Sequence, residues 1–264
     1  MSDSVADIAR NDAGHSGRGV IPAHHRDDLF QAFILHRRDY TNTSLLLDVF
    51  AIGRGRFSAI AKGARRPRNP ASALLQPFQP LWLAAVGRGE VRTLTRSECA
   101  GHPLPLQRRA LLGGFYLNEL LVRLLARHDS HDPLFVYYQD ALARLADGSD
   151  LETLLRQFEL RLLAELGYGP TLDRESGGRE PVRAERTYIY EAEQGLRRAA
   201  FGDPSPVLSG ETLLALTRGD PLGVTQKREA RILLRGILTQ YLGHRPLKSR
   251  ELYRRWYGAL SQTD

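Results

Sequence analysis

The hydrophobic period changes once along the chain, and that change limits the fold more than any other feature. Between residues 28 and 100, apolar residues come in short runs divided by glycine and proline. The runs are Leu29–Leu35, Thr43–Phe50, Arg56–Ala61, Leu81–Val86 and Glu90–Thr95. Gly53-Arg54-Gly55 and Gly87-Arg88-Gly89 punctuate them, as hairpin turns that need positive φ require. Five strands at this spacing predict a small antiparallel barrel or sandwich. From residue 104 the spacing becomes three and four, through Leu111, Leu112, Phe115, Leu117, Leu120, Leu121, Leu124 and Leu125. That predicts an amphipathic helix over 104–128, with Gly113-Gly114 a cost inside it. Further helices are expected at about 133–146, 150–167, 210–218, 224–242 and 248–259, the second of these opening at Ser149 or Asp150. Residues 168–208 are rich in Gly, Pro and charge and read as an irregular insertion, with a short hairpin at Thr187–Tyr190. The class is therefore α+β: a five-stranded β domain over 26–102 and a mostly helical domain over 103–264. Residues 1–25 keep no sustained period and read as a flexible tail.

Charge is concentrated in the first of these domains. Residues 26–100 hold twelve Lys and Arg against six Asp and Glu, which is nearly all of the chain's net +7. Such an excess favours polyanionic partners. Its centre is Lys62-Gly63-Ala64-Arg65-Arg66-Pro67-Arg68, a cationic loop directly after a predicted strand. Phosphate contacts need charge and reach rather than a unique geometry, so Lys62, Arg65, Arg66 and Arg68 are candidate backbone contacts. Arg37, Arg38 and Arg56, with Arg54, lie on neighbouring strands or turns and extend the patch. Tyr40 and Phe57 are the candidates for base stacking. The helix at 224–242 carries Lys227, Arg228, Arg231 and Arg235; the first, third and fourth share one face. They form a possible second anion site, for nucleic acid or an acidic protein tail.

Several chemistries lack their residues. Cys99 is the single cysteine, which excludes an intramolecular disulfide and a multi-cysteine zinc site and suits a reducing cytoplasm. The glycine turns belong to no phosphate-cradling GxxxxGK[ST] or GxGxxG pattern, and no GxSxG elbow is present. His128-Asp129-Ser130-His131-Asp132 sits where one helix ends and the next begins, and reads as capping rather than as a metal cluster. No run of about 18 apolar residues offers a membrane span, and the first residues lack a secretory pattern. No cofactor and no catalytic residue are expected.

Several blocks, in order, resemble one family. Ala32-Phe33-Ile34-Leu35-His36-Arg37-Arg38-Asp39-Tyr40-Thr41-Asn42-Thr43-Ser44-Leu45-Leu46-Leu47 is similar to the opening of the bacterial recombination mediators of the RecO family. So are Gly55-Arg56-Phe57-Ser58, Ala61–Arg66, Leu75-Gln76-Pro77-Phe78 and Gly87-Arg88-Gly89-Glu90. The helical half adds Phe115–Leu121, Phe158-Glu159-Leu160, Leu166-Gly167-Tyr168-Gly169, Tyr241-Leu242-Gly243 and Pro246–Arg250. The resemblance spans about residues 28–255. It implies an OB-fold barrel followed by a helical domain. It also implies a non-enzymatic DNA repair and recombination protein of the RecF pathway, cytoplasmic and nucleoid-associated. Such a protein binds single- and double-stranded DNA and anneals complementary strands. With RecR it helps RecA load onto strands coated by single-stranded-DNA-binding protein (SSB), whose acidic, apolar-ended C-terminal tail needs an Arg- or Lys-rimmed hydrophobic groove. Many members carry a four-cysteine zinc module in the helical domain. Residues 168–208 hold no cysteine, so this sequence resembles the zinc-less branch, and Tyr168, Tyr188 and Tyr190 are the residues available to pack there. The alternative reading is a generic OB-fold RNA-binding protein using the same surface.

Overall fold

The structure, a computed structural model, describes residues 29–177, 180–192, 194–203, 206–243 and 245–257. The tail expected at 1–25 lies outside the described residues. Strands β1 (Phe30–Asp39), β2 (Leu45–Ala51), β3 (Gly55–Ala61), β4 (Leu81–Val86) and β5 (Val91–Cys99) close into a barrel in the order β1-β2-β3-β5-β4. All pairs are antiparallel except β3 with β5, the parallel contact that closes the barrel. The near-continuous apolar run of β1 has a direct cause. Phe30, Ala32 and Ile34 point into the barrel core, while Phe33 and Leu35, on the opposite pleat, join the core of the helical half. A four-residue helix, α1 (Ala71–Leu74), sits in the proline-rich crossing from β3 to β4.

Three helices follow: α2 (Arg108–Leu124), α3 (Asp132–Ala146) and α4 (Leu151–Glu165). The helix expected over 104–128 is shorter at both ends. Pro103 and Pro105 hold the approach extended, and beyond Leu125 the chain turns to meet the barrel, where the His128 N–H donates to the Arg56 carbonyl at 2.8 Å. Gly114 is in the helix because the barrel packs there. A Cβ would come within 2.6 Å of Leu106 and 2.8 Å of the Phe78 ring. The same closeness recurs at Gly55, whose φ is +63° and whose Cβ would meet the Asp129 carbonyl. The 128–132 segment clamps the two halves rather than only capping helices. The Asp132 carboxylate accepts from the Gly53 N–H at 2.6 Å and from the Ser130 hydroxyl at 2.7 Å, and these bonds hold its pKa below the usual carboxylate range.

Residues 168–208 are less irregular than the composition suggests. Strands β6 (Thr187–Glu191), β7 (Gly195–Arg198) and β8 (Leu208–Ser209) form a three-stranded sheet with β6 in the centre. Tyr188 is fully buried and accepts the Arg183 N–H at 2.8 Å, while Tyr168 stacks on Tyr241 at 4.2 Å. Arg197 clasps Glu191 at 2.5 Å and Asp203 at 2.7 Å across the turn. No cysteine lies here to fit a zinc module, and the described residues hold no cluster of three His, Cys, Asp or Glu able to take a metal. Elemental analysis of the purified chain is accordingly expected to find no stoichiometric zinc, and one zinc per chain would overturn that expectation.

Helices α5 (Gly210–Arg218), α6 (Val224–Leu242) and α7 (Lys248–Tyr257) complete the helical half. The start of α7 is capped from outside. Glu119 on α2 accepts from the backbone N–H groups of Lys248 and Ser249, both at 2.9 Å, and from the Ser249 hydroxyl. Among the described residues no helix is long and apolar enough to cross a membrane.

Candidate nucleic-acid interface

The loop between β3 and α1 gathers the cations expected to meet phosphate. Gly63 turns the chain at φ +71°, and the Asn69 side chain donates to its carbonyl at 2.8 Å, so the loop is braced from within. Lys62, Arg66 and Arg68 stand exposed there with no carboxylate in ion-pair range among the described residues. Arg38, at the end of β1, is exposed and unpaired in the same sense. Arg65 is tied down: it pairs with Asp39 at 2.8 Å and donates to the Thr41 carbonyl at 2.6 Å, which fixes the loop against the β1–β2 turn.

Two of the sequence-derived cations turn inward. Arg37 donates to the carbonyls of Ser72 and Leu75, at 3.0 and 3.1 Å, and so closes the end of α1. Arg56 bridges the domains, donating to the Leu125 carbonyl at 3.1 Å and facing Asp48 at 3.6 Å. Burial lowers its pKa and Asp48 partly restores it. Tyr40 is exposed beside the loop, but Phe57 is not available to a base. It is fully buried in the barrel, because its pleat faces inward, and the Arg92 guanidinium covers it.

The predicted face of α6 divides. Lys227 is held by Asp150 at 2.8 Å, the same carboxylate that caps α4, and Arg228 faces outward. Arg231 and Arg235 instead rim a cavity of about 350 Å³ between α2, α4, α6 and α7. Leu112, Leu151, Leu155 and Ile232 give it apolar walls, and Arg250 and Arg254 complete the rim. In its floor Arg156 pairs with the buried Glu159 at 2.9 Å, while its Nη1 has no hydrogen-bond partner among the described residues. Arg250 donates to the Tyr116 hydroxyl at 3.1 Å. Sequence periodicity alone could reach half of this rim; Arg250 and Arg254 join it from a helix that the topology folds back.

Comparison with known proteins accounts for the two halves together. Residues 28–102 match the family described as Recombination protein O N terminal, and residues 105–251 match Recombination protein O C terminal. The chain belongs to the RecO family. Its relatives include the DNA repair protein RecO of Nitrosospira multiformis, 46% identical over 229 residues, 86% of this chain and 95% of that protein. The DNA repair protein RecO of Methylococcus capsulatus is 49% identical over 227 residues, 86% of this chain and 93% of its own length. That of Ralstonia nicotianae is 46% identical over 245 residues, covering 91% and 90%. The RecO family is one of DNA repair and recombination, and the closed barrel followed by helices is the architecture that the sequence resemblance implied.

Proposed function

We propose that this chain is a non-enzymatic mediator of DNA repair that binds single- and double-stranded DNA, anneals complementary strands and, with RecR, helps RecA load onto SSB-coated strands. One observation carries the reading: unpaired cations project from the barrel while an arginine-rimmed apolar groove opens on the helical half. These are complementary to two different anions. The Lys62–Arg68 loop and Arg38 offer charge with reach, which suits phosphodiester backbones of any sequence. The groove offers apolar walls with Arg231, Arg235, Arg250 and Arg254 around them, which suits a short acidic peptide ending in apolar residues, such as the SSB tail. Annealing then requires only that two mutually repelling backbones be neutralised and that the coating protein be engaged; no nucleotide hydrolysis enters.

The test is ATP-independent annealing of complementary labelled strands, naked and coated with cognate SSB. The wild-type chain is expected to anneal both. Arg231→Ala/Arg235→Ala/Arg254→Ala is expected to keep annealing of naked strands and lose it on coated ones. Equal activity of that variant on coated strands would remove the groove from the reading. Failure on naked DNA, together with a binding preference that depends on the 2′-hydroxyl, would replace it with RNA binding.

A further inference from the structure

The barrel carries another pair of cations at the end opposite the Lys62–Arg68 loop. Arg54 lies in the β2–β3 turn with its guanidinium 4.3 Å from the centre of the Phe30 ring. Arg92, from β5, lies 4.6 Å from the centre of the Phe57 ring. The two rings meet edge to face at 5.9 Å, so each guanidinium rests on one ring of a rigid aromatic pair. Their proximity has an electrostatic signature: burial, and then the Arg54 charge, lower the pKa of Arg92. The Arg92 side chain also reaches His128 Nδ1 at 3.3 Å, and the His128 ring stacks on Phe57. Neither arginine has a carboxylate in ion-pair range among the described residues. The neighbouring carboxylates are engaged elsewhere: Asp132 with the Gly53 N–H and Ser130, Glu90 with Arg127 at 3.5 Å, and Asp129 with His131 at 3.5 Å. Two guanidiniums held together against their own repulsion, with no counter-charge, are matched by phosphate oxygens.

We propose that this end of the barrel is a separate phosphodiester-binding site, so that one barrel holds two nucleic-acid strands at once. The inference rests on the nucleic-acid reading above and deepens it. Distance separates Arg54 from the loop: the seven residues of β3 run between them, about 20 Å at the rise of an extended chain, while Arg92 pairs with Ala59 and sets its guanidinium on Phe57. The direct route along β1 and β2 is also occupied. Phe33 and Phe50 on its outer face are covered by Phe135 and Tyr138 of α3, with ring centres 5.2 to 6.2 Å apart. Asp48, midway along β2, adds a negative charge to that path. Strands held at both ends of one barrel are kept at high effective concentration for each other while their charge is neutralised, which is what annealing needs.

The test uses non-complementary DNA strands of about eight nucleotides, within the site size of a single OB-fold, carrying donor and acceptor dyes. The wild-type chain is expected to bind a first strand, capture a second and bring the dyes into energy transfer. Arg54→Gln/Arg92→Gln is expected to keep the first strand and weaken capture of the second about 25-fold at 0.1 M salt, the effect of two phosphate contacts. Arg54→Glu, which leaves Arg92 over Phe57, guards against a folding defect in the double variant and should give the same selective loss. A wild-type complex saturating at one strand, weakened alike by changes at either end, would mean one continuous path and overturn the proposal. So would an unchanged two-strand complex with Arg54→Glu. A wild-type chain binding no DNA strand at all would overturn the nucleic-acid reading as well.

Discussion

Arg156→Ala is expected to destabilise the fold by about 3–5 kcal/mol at pH 7, because it leaves a buried carboxylate without its counter-charge. Glu159 is completely inaccessible, and Arg156 Nη2 lies 2.9 Å from its Oε1. The Tyr116 hydroxyl donates to the same oxygen at 2.5 Å, while Oε2 has no hydrogen-bond partner among the described residues. Burial pushes the Glu159 carboxyl above its usual range; the Arg156 charge, then the Tyr116 hydrogen bond and the Arg250 charge, oppose that rise. Without Arg156 the rise is larger, which fixes the sign of the pH dependence. A carboxyl whose folded pKa exceeds its unfolded value of about 4.3 takes up a proton on folding, so stability grows as pH falls toward that value. The deficit of Arg156→Ala, read by urea unfolding, should therefore shrink between pH 7 and pH 5. In a Glu159→Gln background the same substitution should cost much less, and Arg156→Met/Glu159→Leu should come close to wild-type stability. A deficit below about 1 kcal/mol at pH 7, unchanged on acidification, would mean that the buried pair does not carry this charge balance.

The architecture was legible where one period governed a segment. β1 to β5 follow from alternating or doubly buried runs between glycine turns, and α3 to α7 from three-four spacing. The misreadings share a cause, which is competition from partners distant in sequence. The α2 spacing continues through Leu125, yet the chain leaves the helix there because the barrel, some 70 residues earlier, offers Arg56 as a backbone partner. Gly113-Gly114 counts against a helix locally, and only the packing of Phe78 and Leu106 shows why Gly114 is there. Phe57 is the exception: it alternates with Arg56 and Ser58 and shares a buried pleat with Ala59 and Ala61, so the pattern of β3 itself places it inside, and only its aromatic type spoke for base stacking.

The candidate site shows the same division. That cations gather between residues 37 and 68 is plain from composition; which of them face solvent is not. Arg37 and Arg56 have the same chemistry as Arg38 and Arg66, but carbonyls of α1 and of the α2 end occupy their guanidiniums. Nothing local marks Arg92, because its partners Phe57 and His128 lie 35 and 36 residues away on either side. In the groove, the rim was half visible as the Arg231 and Arg235 stripe of α6. The other half depends on Glu119, whose carboxylate anchors the start of α7 and thereby sets Arg250 and Arg254 over α2.

Those exposures set the size of the DNA effect. Replacing Lys62, Arg65, Arg66 and Arg68 together with alanine should lower the log–log salt slope of single-strand binding by about 2 rather than by about 3, at roughly 0.7 per lost phosphate contact. The smaller figure follows because Arg65 is already paired with Asp39 and the Thr41 carbonyl, leaving Lys62, Arg66 and Arg68 to release counterions on binding. Between 1 M and 0.1 M salt a slope change of that size is a loss of about 100-fold in affinity, appearing only at the low-salt end. Arg65→Ala alone should act differently. It frees the loop from the β1–β2 turn and reduces affinity through loop order, with little change in slope. Titrations of a labelled oligonucleotide at several salt concentrations separate these cases. An unchanged slope in the fourfold variant would take the loop out of the interface, whereas a drop close to 3 would show that Arg65 abandons Asp39 for phosphate when DNA is bound.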